Sequence, residues 1–291
     1  MLTVVIGLAS ALVYGAADFF GGSASRRIPA IRVTAVAAVS GLVLLLLAYP
    51  FVGGEWSASA VLLGALSGVS GAIAVSLLYA CLAIGPMSIL SPLTAVVSAI
   101  VPLTVGLVQG ERLGIIGYIA LGIALVAVVL VGFVPEKGAV RPSLKGVLMA
   151  VGSGTAIGVF LVIIDLTPDD SGLVPLILNR SVNAVVLFTV VAFVAVVARR
   201  RARVAGERVT SVGWKAGIAI AITCGVLDAI ANTGLLIGLR LGDLTVISVL
   251  TALYPAGTII LAAVVLKERI APVQIVGLVL AVAAGAMLAL G

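Results

Sequence analysis

The sequence contains no histidine and only two cysteines. Without imidazole the chain lacks the usual metal ligand and the only side chain whose ordinary pKa lies near neutral pH. Both cysteines lie inside apolar runs, where we interpret them as packing residues. The sequence therefore predicts no metal and no cofactor, and any protonation step near neutral pH has to use a carboxylate.

Charge is also scarce, because 10% of the residues are charged whereas 63% are hydrophobic. The mean hydropathy is +1.37. A soluble domain carries about 25% charged residues, so this composition cannot cover a water-facing surface and indicates an integral membrane protein. The pI of about 9.7 does not indicate nucleic-acid binding, because most lysines and arginines lie in short loops between apolar runs.

Long apolar runs make up most of what is present. A helix needs about 20 such residues to cross the hydrocarbon core, and these runs are too long and too uniform for strands. The N-terminus lacks the basic segment of a cleavable signal peptide, so we expect the first run to be a retained span. Turn signals and charges predict ten helices, at residues 2–22, 30–52, 58–84, 86–108, 113–134, 146–166, 172–198, 212–239, 243–266 and 271–290.

The two halves of the chain resemble each other. With a shift of 157 positions, residues 93–112 fall on residues 250–269, and the Glu-Arg pair that ends the first segment falls on the one that ends the second. Low-complexity apolar sequence produces chance matches, so the ungapped Glu-Arg pair carries most of this signal. We predict two five-helix repeats, residues 1–134 and 146–291, joined by a linker at residues 135–145.

Five helices is an odd number, so two tandem repeats enter the membrane in opposite orientations. Loop charges agree with this expectation. The first loop is basic in the first half (residues 26–27) and acidic in the second half (165–170). The second loop carries only an acid in the first half (residue 55), whereas it is strongly basic in the second half (199–215). The positive-inside rule then places both termini outside a plasma or inner membrane, with both termini inside as the alternative.

Three short motifs lie at characteristic helix positions, and two of them occur in both halves. They are Tyr14-Gly15 in the first helix, Arg32 and Arg180 early in the second helices, and the Glu-Arg pairs at the ends of the fourth. Together they resemble the EamA-type transporters of the drug/metabolite transporter superfamily, over nearly the whole chain. The family often has Trp where Tyr14 stands. Its fourth-helix proline is matched by Pro255 but replaced by Ser98 in the first half, so we expect the bend of that helix to differ.

The resemblance implies secondary transport of a small metabolite, often export of amino acids or related compounds, through a central cavity between the halves. The mechanism that we expect is alternating access, with coupling to protons or another ion. The expected partners are therefore a small-molecule substrate, a coupling ion and the lipid bilayer, with a homodimer allowed. A lipid-linked carrier or flippase, a membrane scaffold and an intramembrane enzyme are the alternatives. The chain has no histidine and no pair of carboxylates within one span, and these absences argue against an intramembrane enzyme.

Ionisable side chains inside a span are costly unless they are paired or hydrated, and three stand out: Asp18, Arg180 and Asp228. At about 1.5 Å per residue, Arg180 and Asp228 lie roughly 12 Å and 16 Å from the same side, so we expect them to face one cavity. In one interpretation Arg180 binds a substrate carboxylate and Asp228 accepts a proton or a substrate amine. In the other, the two residues form a structural ion pair.

Asp18 is expected to lie nearer the cytoplasmic end of its helix, and the second half has no acid to match it. Its side chain is either hydrated beside the basic loop or has a substrate or gating role on the cytoplasmic side. Glu111 and Glu268 are expected to pair locally with the arginines that follow them. The further candidates for substrate binding or coupling are Asn179, Asn183, Asn232, Tyr14, Tyr79, Thr94, Thr251 and Tyr254.

Overall fold

The computed structural model describes residues 1–84, 87–132, 143–205, 215, 217–265, 267 and 270–290; side chains at 79, 81–84, 87–89, 91, 201–205 and 289–290 are outside the description. This part of the chain forms eleven α-helices and contains no strand. The helices are α1 (Leu2–Ser25), α2 (Ala30–Val52), α3 (Ala58–Ile84), α4 (Met87–Gln109), α5 (Ile115–Gly132), α6 (Leu144–Asp165), α7 (Val174–Ala205), α8 (Ile218–Leu241), α9 (Leu244–Thr251), α10 (Tyr254–Val265) and α11 (Pro272–Leu290).

Nine segments of the described chain are long and apolar enough to cross a membrane, counting α9 and α10 as one, and α11 adds a shorter apolar segment. The expected all-helical membrane protein is therefore confirmed. Three helix ends differ from the prediction by three residues or more: α1 continues to Ser25, α7 continues to Ala205, and α8 begins only at Ile218. The predicted boundary at residues 85–86 and most of the linker lie outside the described residues.

The predicted ninth helix is broken into α9 and α10 around Ala252 and Leu253. Pro255 explains the break, because proline has no N–H and its ring clashes with the carbonyl four residues earlier. It is the second residue of α10, near the helix start where proline is tolerated. By contrast, α4 is continuous although it contains Pro92 and Pro102. The expected difference between the two fourth helices is present.

Most contacts between helices join the first part of the chain, residues 1–132, to the second part, residues 143–290. In the first part, α1 packs on α8, α9 and α10, and α2 packs on α8. Helix α3 packs on α6 and α7, and α4 packs on α6. The remaining major contacts between these two parts join α2 with α7, α4 with α9 and α5 with α11. Most of the buried core therefore lies between the halves, while large apolar side chains on the outer faces remain exposed, as lipid contact requires.

Small residues allow these helices to approach closely. Gly15 of α1 faces Gly257 and Thr258 of α10, and the Thr258 hydroxyl donates a hydrogen bond to the Gly15 carbonyl at 3.0 Å. Gly225 of α8 lies against Ala37 of α2 in the same way. Close backbone contact of this kind is how helices associate in lipid, where apolar surface by itself gives little driving force.

Candidate functional site

Arg180 of α7 and Asp228 of α8 form an ion pair through Nη2 and Oδ2. The Arg180 side chain is 11% exposed and that of Asp228 is 27% exposed, so the pair is largely removed from solvent. The arginine passes α2 at Gly41, where an added Cβ would lie 3.7 Å from Arg180 Cδ and 3.0 Å from the Gly225 carbonyl oxygen. The pair therefore links α7 and α8 across a glycine of α2.

Further polar groups surround this pair. Asn232 Nδ2, one turn after Asp228, donates to the Asp228 carbonyl at 2.7 Å and lies 3.4 Å from its Oδ1. Nε of Arg180 is buried and has no hydrogen-bond partner within the described part of the chain. An unsatisfied buried donor costs about 1–3 kcal/mol. Arg180 thus holds Asp228 with one side of its guanidinium and retains a donor for an additional acceptor.

Asp18 lies at the level of Asp228. α1 and α8 run antiparallel, with Gly21 beside Cys224 and Ser10 beside Gly234, and these two contacts bracket both aspartates. The structure therefore places Asp18 deeper than expected, seven residues before the end of α1 at Ser25. Its carboxylate is close enough to Asp228 for the two charges to repel each other.

Asp18 also points inward. On α1, Ser10 and Gly21 contact α8 whereas Gly15 contacts α10, and the helical period places Asp18 between these two faces. The charge of Asp18 acts on Tyr254 at the start of α10. Although it faces the interior, Asp18 is an exposed residue. Its carboxylate thus borders an accessible space between α1, α8 and α10, and the described residues contain no salt bridge to it.

The asparagines of α7 face a different helix. Asn179 Nδ2 donates to Ser67 Oγ of α3 at 3.0 Å, and Asn183 Nδ2 donates to Asn179 Oδ1 at 3.3 Å. Gly71 of α3 leaves room for the Asn183 side chain. Neighbouring helix positions are about 100° apart, so Asn179 turns towards α3 while Arg180 turns towards α8. Of the three predicted asparagines, the structure brings only Asn232 to the ion pair.

The remaining candidates separate into two groups. Tyr14, one turn before Asp18, lies within the electrostatic reach of Asp18, Arg180 and Asp228. Thr94 and Thr251 are buried in the helix packing, and their hydroxyls donate to backbone carbonyls. Their role in substrate binding stays a prediction, as does that of Tyr79, whose side chain lies outside the described residues.

The comparisons with known proteins agree with this architecture. The model of the EamA-like transporter family matches residues 144–290, which is half of the chain. The chain belongs to this family. A solved structure described only as "Crystal structure of protein" is similar with a TM-score of 0.74 at 17% identity, over 99% of this chain and 96% of that chain. At that identity the likeness shows the fold alone. No curated protein matches the chain.

In this EamA-like chain, Glu111 connects several helices at one side of the helix bundle. This is the side where α1 begins and α4 ends, and we call it the Glu111 end. The Glu111 carboxylate accepts hydrogen bonds from the N–H groups of Leu244 at 2.8 Å and Thr245 at 3.0 Å. It therefore caps the N-terminus of α9, where a negative charge is favourable. This role differs from the expected local pairing with Arg112, and the Glu-Arg repeat is the sequence signal that singled Glu111 out.

A second set of contacts at the Glu111 end involves the turn between α6 and α7. Arg240 of α8 donates to the carbonyls of Asp165 and Pro168 and forms an ion pair with Asp169 at 3.3 Å. Backbone hydrogen bonds between residues 53–55 and 170–173 join this turn to the first half of the chain. Nearby, partial burial and the Glu111 charge raise the pKa of Asp243. The sequence analysis missed Arg240, because the residues that it binds, Asp165 and Pro168, lie 75 and 72 positions away in the chain.

Replacing Glu111 with alanine is expected to loosen the Glu111 end of this EamA-like transporter. The change removes both acceptors from the α9 N-terminus, and the loss of such a cap costs about 0.5–2 kcal/mol. Hydrogen exchange followed by mass spectrometry measures the result as faster exchange at Leu244 and Thr245. Glu55→Ala is the matched control, because Glu55 lies at the same end with an exposed side chain. Equal exchange in the two variants contradicts the capping role.

Proposed function

We propose that this chain is a secondary active transporter that exports a small metabolite by alternating access between two inverted five-helix repeats. Membership of the EamA-like family makes it a membrane transporter. The observation that carries the finer proposal is the charged cluster between the halves. Asp18 comes from the first half, Arg180 and Asp228 come from the second, and all three lie within electrostatic reach of Tyr14.

Helix directions at the Glu111 end support the inversion of the repeats. α1 begins at this end, where Thr3 Oγ1 donates to the Leu241 carbonyl, whereas α6 finishes there at Asp165. α2 finishes there, since the Gly53 carbonyl accepts from Leu173 N, whereas α7 begins. The first two helices of one repeat thus run opposite to the first two of the other, as in transporters whose halves alternate around a central site.

The central cluster suits a substrate with an acidic group. Among the described residues nothing accepts a hydrogen bond from the buried Nε of Arg180, and a substrate carboxylate oxygen satisfies this donor without displacing Asp228. Asp228 forms the ion pair with Arg180 and accepts a hydrogen bond from Asn232, and it orients the guanidinium. Binding of this kind uses groups of α7 and α8 close to the helices of the first half, so substrate occupancy and the relative position of the halves depend on each other.

Orientation follows from the loop charges. With both termini outside a plasma or inner membrane, the Glu111 end faces outward. Glu111 bridges α4 and α9, and the turns beside it are joined by backbone hydrogen bonds. In this orientation, these contacts support a conformation that is closed towards the outside. Export then requires release of these contacts after the substrate has entered from the cytoplasmic side.

Transport by reconstituted vesicles tests this function. Vesicles that contain the purified chain are loaded with a panel of amino acids and related metabolites, and efflux is followed with and without a pH gradient. We expect the chain to move at least one metabolite. We expect Asp228→Asn to slow that movement at least tenfold, about 1.4 kcal/mol, because the substitution weakens the hold on Arg180.

Glu55→Gln is the matched control, since Glu55 has an exposed side chain at the Glu111 end, away from the ion pair of Arg180 with Asp228. We expect this variant to transport at the wild-type rate, and gel filtration verifies that both variants are folded. A parallel arm with labelled lipids tests the flippase alternative. Lipid movement without metabolite movement, or equal rates for the two variants, contradicts the proposal.

A further inference from the structure

Asp18 is the one acid of the central cluster whose charge no described cation balances. Asp228 is bonded to Arg180 and Asn232, whereas the two salt bridges of the described residues involve other acids than Asp18. The carboxylate borders the accessible space between α1, α8 and α10. A single unbalanced carboxylate at this depth has a strong tendency to bind a cation.

We propose that Asp18, rather than Asp228, binds the coupling proton of this transporter. The inference rests on the proposed function and refines it, because one interpretation of the sequence gave Asp228 a proton or a substrate amine to accept. One proton adds to the Asp18 carboxylate on the acidic side, forming a neutral carboxyl group. The same O–H bond breaks after the halves have moved, and the proton leaves on the other side.

The surroundings of Asp18 make it the favoured proton acceptor of the two. Protonating Asp228 leaves the Arg180 guanidinium without its counter-ion in a mostly buried position, which is unfavourable. Protonating Asp18 removes a like-charge repulsion and costs no ion pair. The first proton therefore goes to Asp18.

Among the described residues, the helices packed on α1 bring one other acid, Asp228, towards Asp18 and no cation that forms a salt bridge with it. α8 contributes Asp228 and Cys224, and α10 contributes Tyr254. On its own helix the neighbour is Tyr14, and the described parts of α9 and α11 carry no titratable side chain. The titratable residues of α2 are Arg32 and Tyr49, near its two ends.

Protonation at this position affects the contact between the halves. Asp18 belongs to the first half, and the charge that repels it belongs to the second. With Asp18 ionised, the repulsion acts across the interface of α1 and α8. With Asp18 neutral, this repulsion is absent when α1 and α8 approach each other. The proton state of one side chain thus biases the relative position of the repeats, which is what coupling requires.

Two measurements on the full-length protein test the proposal. Infrared difference spectroscopy in detergent follows the carbonyl band of protonated carboxyl groups between pH 5 and pH 9, without any substrate. We expect a band that disappears as the pH rises, is missing in Asp18→Asn and is retained in Asp228→Asn. Loss of the band in Asp228→Asn with retention in Asp18→Asn overturns the assignment, and so does the absence of any such band in the wild-type protein.

The second measurement uses vesicles. We expect the increase in transport rate that a pH gradient produces to be at least tenfold smaller in Asp18→Asn than in the wild-type protein. The variant is expected to retain exchange of internal for external substrate, because exchange needs no net proton movement. Loss of exchange together with the stimulation means that Asp18 binds substrate, which overturns the proposal. Wild-type transport that ignores the pH gradient overturns it too, while leaving metabolite transport itself intact. Failure of all metabolite movement instead contradicts the proposed function, and the infrared result still decides on Asp18.

Discussion

Arg180→Met is expected to abolish transport and to destabilise the folded protein. The substitution retains a long apolar side chain beside Gly41 but leaves the Asp228 carboxylate without its counter-ion. Breaking a buried ion pair by removing one partner costs about 3–5 kcal/mol, and we expect the lower end of this range because the Asp228 side chain is 27% exposed. Thermal unfolding in detergent and metabolite efflux from vesicles measure the two losses.

The double variant Arg180→Met with Asp228→Leu separates the two effects. Because no unpaired charge remains, we expect it to recover most of the lost stability, as apolar replacements of buried pairs do. Transport is expected to stay absent, since the guanidinium that would bind the substrate is missing. If the single variant unfolds at the wild-type temperature, or if the double variant transports, the ion pair does not have the role assigned to it.

Gly15→Val is expected to have the largest effect of any substitution in α1. An added Cβ at Gly15 would lie 2.5 Å from Thr258 N and 2.6 Å from Gly257 Cα, and these backbone atoms cannot yield by changing a rotamer. α1 therefore has to move away from α10, which breaks the bond from Thr258 to the Gly15 carbonyl and displaces Asp18. Overpacking of this kind costs about 1–3 kcal/mol or more. Unfolding in detergent and vesicle transport are the readouts.

Gly22→Val is the matched control for this prediction. Gly22 lies in the same helix, and no atom of the described part of the chain is within 4 Å of an added Cβ there. Both substitutions change helix propensity by a similar amount, so the difference between them isolates the contact with α10. We expect Gly22→Val to unfold and transport like the wild-type protein. Equal losses in the two variants contradict the close approach of α1 and α10.

Local patterns predicted some parts of the site and not others. The pairing of Arg180 with Asp228 followed from the cost of isolated charges in lipid and from their similar depth. The face that each helix presents did not follow, because helices that are apolar on all sides carry little directional signal. Asn179 and Asn183 accordingly turned out to contact α3, although they precede and follow Arg180 closely in sequence.

The sequence by itself determined that the chain lies in a membrane and has ten apolar runs, because hydropathy is a local property, and it predicted two similar halves. Only the tertiary structure decided which helices are neighbours. The antiparallel contact of α1 with α8 brings Asp18 level with Asp228, and the approach of α4 to α9 places Glu111 on a helix N-terminus. Both results depend on packing between residues more than 130 positions apart, which no local pattern encodes.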